Sequence, residues 1–166
     1  MTRCTTEYIE YVGEGAAANK PGRARCAAMA AFARADARDL IAAWEAWADK
    51  PDWRWMRRPE TGLVMVRGRI GGAGAPFNLG EVTVTRCAVR LGSGETGFAY
   101  VLGRDARKAE IAALFDALWQ GARRETVEQH VFAPLREAQQ QEDAKTRART
   151  AATRVDFFTL VRGESE

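Results

Sequence analysis

Residues 57–105 limit what this chain can fold into more than any other stretch. They read RRPETGLVMVRGRIGGAGAPFNLGEVTVTRCAVRLGSGETGFAYVLGRD. Short runs of β-branched and aromatic residues alternate with glycine-containing turns, which is the pattern of strands joined by tight connections. Pro59-Glu60-Thr61-Gly62 reads as a turn. Leu63–Ile70 reads as a strand with Val64, Val66 and Ile70 on one side and Met65, Arg67 and Arg69 on the other. A glycine-rich connection over 71–80 leads to a longer strand, Glu81–Leu91. There Val82 and Val84 share parity with Arg86 and Arg90, so a bulge or edge position is expected near Thr85. Gly92-Ser93-Gly94 is a tight turn, and Thr96–Leu102 completes an antiparallel meander.

Helical patterns flank this β-rich middle. Residues 1–22 hold a Gly/Ala/Asn/Pro-rich lead-in. A helical arm is expected over 23–50, with Met29, Phe32 and Ala33 on one face. Asp36 is expected to cap a second piece carrying Leu40, Ile41, Trp44 and Trp47. Trp53 and Trp55 stand two apart, on one face of a short strand. Asp105 is a candidate N-cap for a helix whose Ile111, Leu114, Phe115, Leu118 and Trp119 form an amphipathic stripe. Thr126 is the expected cap of the next helix, with Val127, Val131 and Leu135 inward and a kink or restart at Pro134. Residues 139–150 are polar and charged, as in a solvated helix end. The compact apolar run 155–162 (Val155-Asp156-Phe157-Phe158-Thr159-Leu160-Val161-Arg162) reads as a terminal strand. The whole is one α+β domain over 23–166: an antiparallel β-meander packed against helices, with an N-terminal helical arm and a C-terminal strand.

Charge is distributed unevenly. The chain of 166 residues carries a formal net charge of +3. Between Trp53 and Lys108 stand ten basic and four acidic residues, a net +6, which leaves −3 for the remainder. Nearly all the basic residues are arginine, whose forked donors match phosphate and carboxylate. By strand parity Arg67, Arg69, Arg86 and Arg90 share the sheet face away from the core. They are candidate phosphate-binding residues; a plain solvated sheet face is the other reading. Gly71-Gly72-Ala73-Gly74 could bring backbone N–H groups to phosphate, or simply connect two strands. No Gly-Lys-Ser/Thr follows, so it is no P-loop, and the element after it reads as a strand rather than a helix, which excludes the dinucleotide fingerprint. Glu60 and Glu81 stand at strand starts beside glycine, where acid/base work and salt bridging are both open.

Other chemistry is excluded or unsupported. The cysteines at 4, 26 and 87 form no C-x-x-C pair, and His130 is the single histidine, so neither a zinc site nor a catalytic triad is indicated. No catalytic and no metal-binding residues are assigned. No reader motif or interleaved aromatics point to nucleic acid. No apolar run is long enough for a membrane span, and the first residues lack a signal core, so a cytoplasmic location is expected. Trp53, Trp55, Asp156, Phe157, Phe158 and Leu160 are candidate interface residues, weighed against ordinary core packing and a last strand of the chain's own sheet.

Three segments carry a resemblance to a known family: RRPETGLVMVRGRIGGAGAPFNLGE, GFAYVLGRD and the terminal VDFFTLVRG. From about Arg25 to Arg162 the chain closely resembles the G subunit of the bacterial carbon–phosphorus lyase system. The resemblance implies an accessory or structural subunit in organic phosphonate catabolism, working with the H, I and J subunits of a core complex and functionally with an ATPase-like L subunit. Together they would transfer an alkylphosphonate to the ribose C1′ of ATP and release adenine, the transferase reaction of a ribose 1-methylphosphonate 5-triphosphate synthase. It implies no cofactor in this chain; ATP and alkylphosphonate are substrates of the complex. It would place a histidine where Lys108 stands. The residues alone keep one alternative open: a stand-alone nucleotide- or phosphate-binding enzyme using the arginine-rich sheet face.

Overall fold

The computed structural model describes residues 21–70 and 74–153. Two helices come first, α1 (Pro21–Arg34) and α2 (Ala37–Glu45). A three-stranded antiparallel sheet follows in the order β1 (Trp53–Arg69), β2 (Pro76–Leu91), β3 (Thr96–Leu102). The chain then runs through α3 (Ala106–Gln120), a short α4 (Arg124–Val127), a π turn (Glu128–Phe132) and α5 (Ala133–Ala152). This is the expected α+β meander with an N-terminal helical region. The expected lead-in and the terminal strand at 155–162, including Asp156, Phe157, Phe158 and Leu160, lie outside the described residues.

The helix starts follow side-chain chemistry. Asp36 accepts a hydrogen bond from the backbone N–H of Arg38, at 2.8 Å. Asp105 accepts from the N–H of Lys108, also at 2.8 Å. Each satisfies an orphan amide of a first turn, a contribution of about 1 kcal/mol. Thr126 does not act as a cap. It is exposed inside α4, which starts at Arg124 without a side-chain cap. The π turn then takes up the strain of Pro134, which sits in the first turn of the restarted helix, where its missing N–H costs nothing. Val127, Val131, Phe132 and Leu135 thereby stay buried across the irregularity.

The helix α3 forms the centre of the core. Its expected stripe is too narrow a description, because every residue from Ala109 to Trp119 is buried. The sheet covers one side, and α1 and α2 cover others. Phe115 is fully buried, with the rings of Trp44, Phe32 and Trp47 at 5.6, 5.8 and 5.8 Å. Truncating such a side chain typically costs 3–5 kcal/mol. Against β3 the helix packs on glycine. A methyl group on Gly97 would stand 1.9 Å from the carbonyl oxygen of Ala113. The small residues Ala113 and Ala117 complete this close contact.

The strands depart from expectation in length. Residues 59–62 do not turn; β1 runs unbroken for 17 residues. Pro59 is accommodated because register shifts fall between Trp55 and Arg57 and again between Arg57 and Glu60. Proline lacks a ladder donor, so strands hold it at bulges or edges. Two irregularities thus sit on β1 opposite Arg86–Val89, a third falls between Val66 and Arg67, and Thr85 is regular. Thr85 is buried, donates its hydroxyl to the Gly103 carbonyl at 2.7 Å, and pairs regularly with Thr61 and Val101. Strand β3 pairs with β2 only from Val84↔Leu102 to Arg90↔Thr96. Beyond Val84, β1 and β2 continue as a two-stranded ribbon with seven further pairs, from Leu63↔Thr83 to Arg69↔Pro76. At about 3.3 Å per residue the ribbon extends roughly 23 Å past the core.

Candidate functional site

Cys87, Val89, Leu91, Ala99 and Val101 lie on the buried face of the sheet, against α3. Its other face carries the arginines. Arg54 opposes Arg90, Arg57 opposes Ala88, and Glu60 opposes Arg86. Strict alternation would put Arg57 with Trp53 and Trp55. The first bulge brings it to the outer side, and the second restores the alternation at Glu60. Glu60 therefore bridges two arginines, with Arg57 Nη1 and Arg86 Nε each donating to its Oε1 at 2.5 Å. Those bonds, from Arg57 first and then Arg86, hold the Glu60 carboxyl below the usual carboxylate range. Glu60 is thus a bridging anion. Glu81 opposes Met65, five rungs along β2 from Arg86, so the two glutamates form no acid/base pair.

The four arginines of the expected ridge fall into two groups. Arg86 and Arg90 lie on the core-backed sheet. Arg67 and Arg69 lie near the end of the ribbon, opposite Asn78 and Pro76. Seven residues of extended strand separate Arg67 from Glu60, about 23 Å. A register shift between Val66 and Arg67 breaks the face between them. Arg69 donates to the carbonyl of Gly74 at 3.0 Å. Of the glycine-rich connection, 71–73 lie outside the described residues.

Arg54 and Arg90 are the like-charged pair of this face. They stand directly across the ladder, both exposed, and neither has an ion pair among the described residues. Directly opposed like charges destabilise a sheet. With Asp52, Trp53, Gly92 and Gly94 they line a hollow of about 490 Å³. A second hollow, about 450 Å³, lies between α2 and α4 beside the Asp49–Arg123 ion pair and His130. The His130 ring nitrogen Nδ1 lies 3.1 Å from the Thr126 carbonyl, within its own helix.

Trp53 and Trp55 meet edge to face, with centroids 5.0 Å apart. Trp55 is 41% exposed, and the Arg58 guanidinium sits 4.5 Å over its ring. Trp44, Trp47 and Trp119, by contrast, are core residues. Lys108 begins α3 half-buried; burial draws its ammonium pKa down, while Asp105 and Asp36 oppose the shift.

Sequence reasoning missed the apolar part of this surface. Phe98, Tyr100 and Leu102 alternate with the buried residues of β3 and are all exposed. Leu63, Val64, Met65, Phe77 and Leu79 are exposed on the ribbon. The run Leu63-Val64-Met65-Val66 carried the signal: four consecutive apolar residues leave no polar face for water.

The family described as phosphonate metabolism protein PhnG matches residues 23–163. A protein of Rhizobium meliloti (strain 1021), the α-D-ribose 1-methylphosphonate 5-triphosphate synthase subunit PhnG, is 51% identical over 136 residues. That alignment covers 82% of this chain and 87% of the relative. The matched span takes in both N-terminal helices, the bulged sheet with its ribbon, and the helices that follow, so the chain belongs to the PhnG family of phosphonate metabolism.

Proposed function

We propose that this chain is an accessory subunit of an α-D-ribose 1-methylphosphonate 5-triphosphate synthase. The reading is carried by the identity to the Rhizobium meliloti subunit across most of both chains. In the reaction, a phosphonate oxygen forms a bond to C1′ of the ATP ribose as the C1′–N9 bond breaks, and adenine leaves with a proton. This chain's part is to build the assembly in which others carry out that displacement. The H, I and J subunits are the partners in a cytoplasmic core complex, and the L subunit acts with them. An exposed tryptophan beside a stacked arginine and the exposed Phe98, Tyr100 and Leu102 of β3 are the surface chemistry of a subunit contact.

Reconstitution tests this. Synthase assembled with and without the chain is given ATP and methylphosphonate, and free adenine is measured. Adenine release that depends on the chain is expected; equal release without it overturns the proposal. One observation favours a second reading, the directly opposed Arg54–Arg90 pair in its hollow. Micromolar binding of ATP to the isolated chain, abolished in Arg90→Ala, would support direct anion binding.

A further inference from the structure

The ribbon formed by 63–69 and 76–83 has no core of its own. Among its described residues none is buried. Leu63, Val64, Met65, Ile70, Phe77 and Leu79 are all exposed, Ile70 at 74% and Leu79 at 64%. They are not confined to one side. Val64 pairs with Val82 on the outer face, while Leu63 and Met65 take the opposite parity. A two-stranded hairpin is marginal in water on its own. This one places apolar surface on both faces with none of it buried, and such surface marks an interaction site.

Charge identifies the kind of occupant. The ribbon itself carries Arg67, Arg69 and Glu81, a net +1, and the rest of the hairpin from Trp53 to Leu91 adds five arginines and Glu60, a net +4 at its base. Two such hairpins repel each other, so a second copy of the chain is the wrong cover. A protein cleft with apolar walls and a carboxylate rim satisfies both the side chains and the charge.

We infer that the ribbon is the docking arm of this subunit, gripped on both faces by an apolar, acid-rimmed cleft of another subunit of the synthase. The inference rests on the proposed subunit role and adds to it the element that makes the contact. Arg67, exposed between the apolar residues, meets the acidic rim. The core-backed sheet and helices remain outside the cleft, with the arginines at the base of the ribbon facing its rim.

The test uses the full chain co-expressed with the other synthase subunits. Wild type is compared with Val64→Asp/Leu79→Asp, neither residue being in the core, and with Arg67→Glu. Co-elution and affinity are measured, with thermal melting as the fold control. Wild-type assembly, at least tenfold weaker binding by the double variant with an unshifted melt, and salt-sensitive loss in Arg67→Glu are expected. A chain with benzoylphenylalanine in place of Phe77 supplies a readout independent of disruptive substitution: it should crosslink to an acid-rich segment of another subunit. Full assembly by the double variant, or crosslinks absent in an assembled complex, overturns the arm while leaving the subunit role intact. Self-association through the arm, or Leu79-dependent binding to phosphatidylserine vesicles, assigns it a different occupant and overturns it as well. Failure of wild type to assemble overturns both proposals.

Discussion

Arg25 and Asp116, 91 residues apart in sequence, meet through two parallel bonds: Nε to Oδ1 at 3.0 Å and Nη2 to Oδ2 at 2.8 Å. The carboxylate is fully buried and also accepts from the backbone N–H of Phe98 at 2.9 Å. Phe98 N–H and the Thr96 carbonyl point off the outer edge of β3, and Arg25 and Gln120 both reach that carbonyl. The pair thus joins α1 to α3 and closes half of a sheet edge that would otherwise recruit another strand. Removing one partner of a buried pair strands the other charge. Arg25→Ala is expected to cost about 3 kcal/mol in urea denaturation, and Asp116→Asn less, because the amide keeps one acceptor.

Gly97→Ala is expected to fail structurally. The added methyl would stand 1.9 Å from the Ala113 carbonyl oxygen and 2.6 Å from the Ala117 nitrogen. Backbone cannot yield as a flexible side chain does, so β3 must separate from α3. A loss of about 3 kcal/mol or more is expected, read as a fall in melting temperature. Gly62→Ala meets nothing within 4 Å and serves as the control.

Burial, with the Glu110 charge as a smaller contributor, pushes the Cys87 thiol from 9.0 up to about 11. Between those values the unfolded thiol has lost its proton while the folded one keeps it. Unfolding then releases a proton, and stability falls as pH rises, by up to roughly 1.4 kcal/mol per pH unit. Below pH 9.0 this loss disappears. Urea midpoints at pH 8, 9.5 and 10.5 should fall more steeply for wild type than for Cys87→Ala, which cancels the lysine contribution common to both. In the native protein Cys26, which is exposed, should react with a thiol reagent far faster than Cys87.

Trp55→Ala should separate stability from assembly. The residue contributes an edge-to-face contact with Trp53, about 1 kcal/mol. If its exposed ring is an interface anchor, truncation weakens the reconstituted synthase by about 2 kcal/mol, some thirtyfold in affinity. Melting of the lone chain and titration of the complex give the two numbers.

Much of this fold was legible where one local rule decides. Asp36 and Asp105 cap helices because a carboxylate beside free amides has little else to do, and Thr96–Leu102 alternates cleanly because one face meets α3. Pro59-Glu60-Thr61-Gly62 misled because turn chemistry and bulged-strand chemistry use the same residues; only the pairing of Glu60 with Arg86 distinguishes them. The arginine ridge does not form because Val64 and Val66, which read as the core side of their strand, have the parity of Glu60 and Arg86 on the outer face. Thr126 lost its capping role because the helix begins two residues earlier. The exposure of the ribbon could not be seen locally at all, since it depends on β3 stopping at Leu102 while its neighbours continue.

The two bulges of β1 compensate each other, one reversing the alternation and the next restoring it. A bulge residue is therefore the position of this stretch that can be lost singly without turning its neighbours over. A chain that lost Met56 alone would lose the first bulge and nothing else: Trp55 and Arg57 would alternate plainly opposite Val89 and Ala88, and Glu60 would keep its place across from Arg86. Among relatives, single-residue length changes should fall at the bulges and not between them.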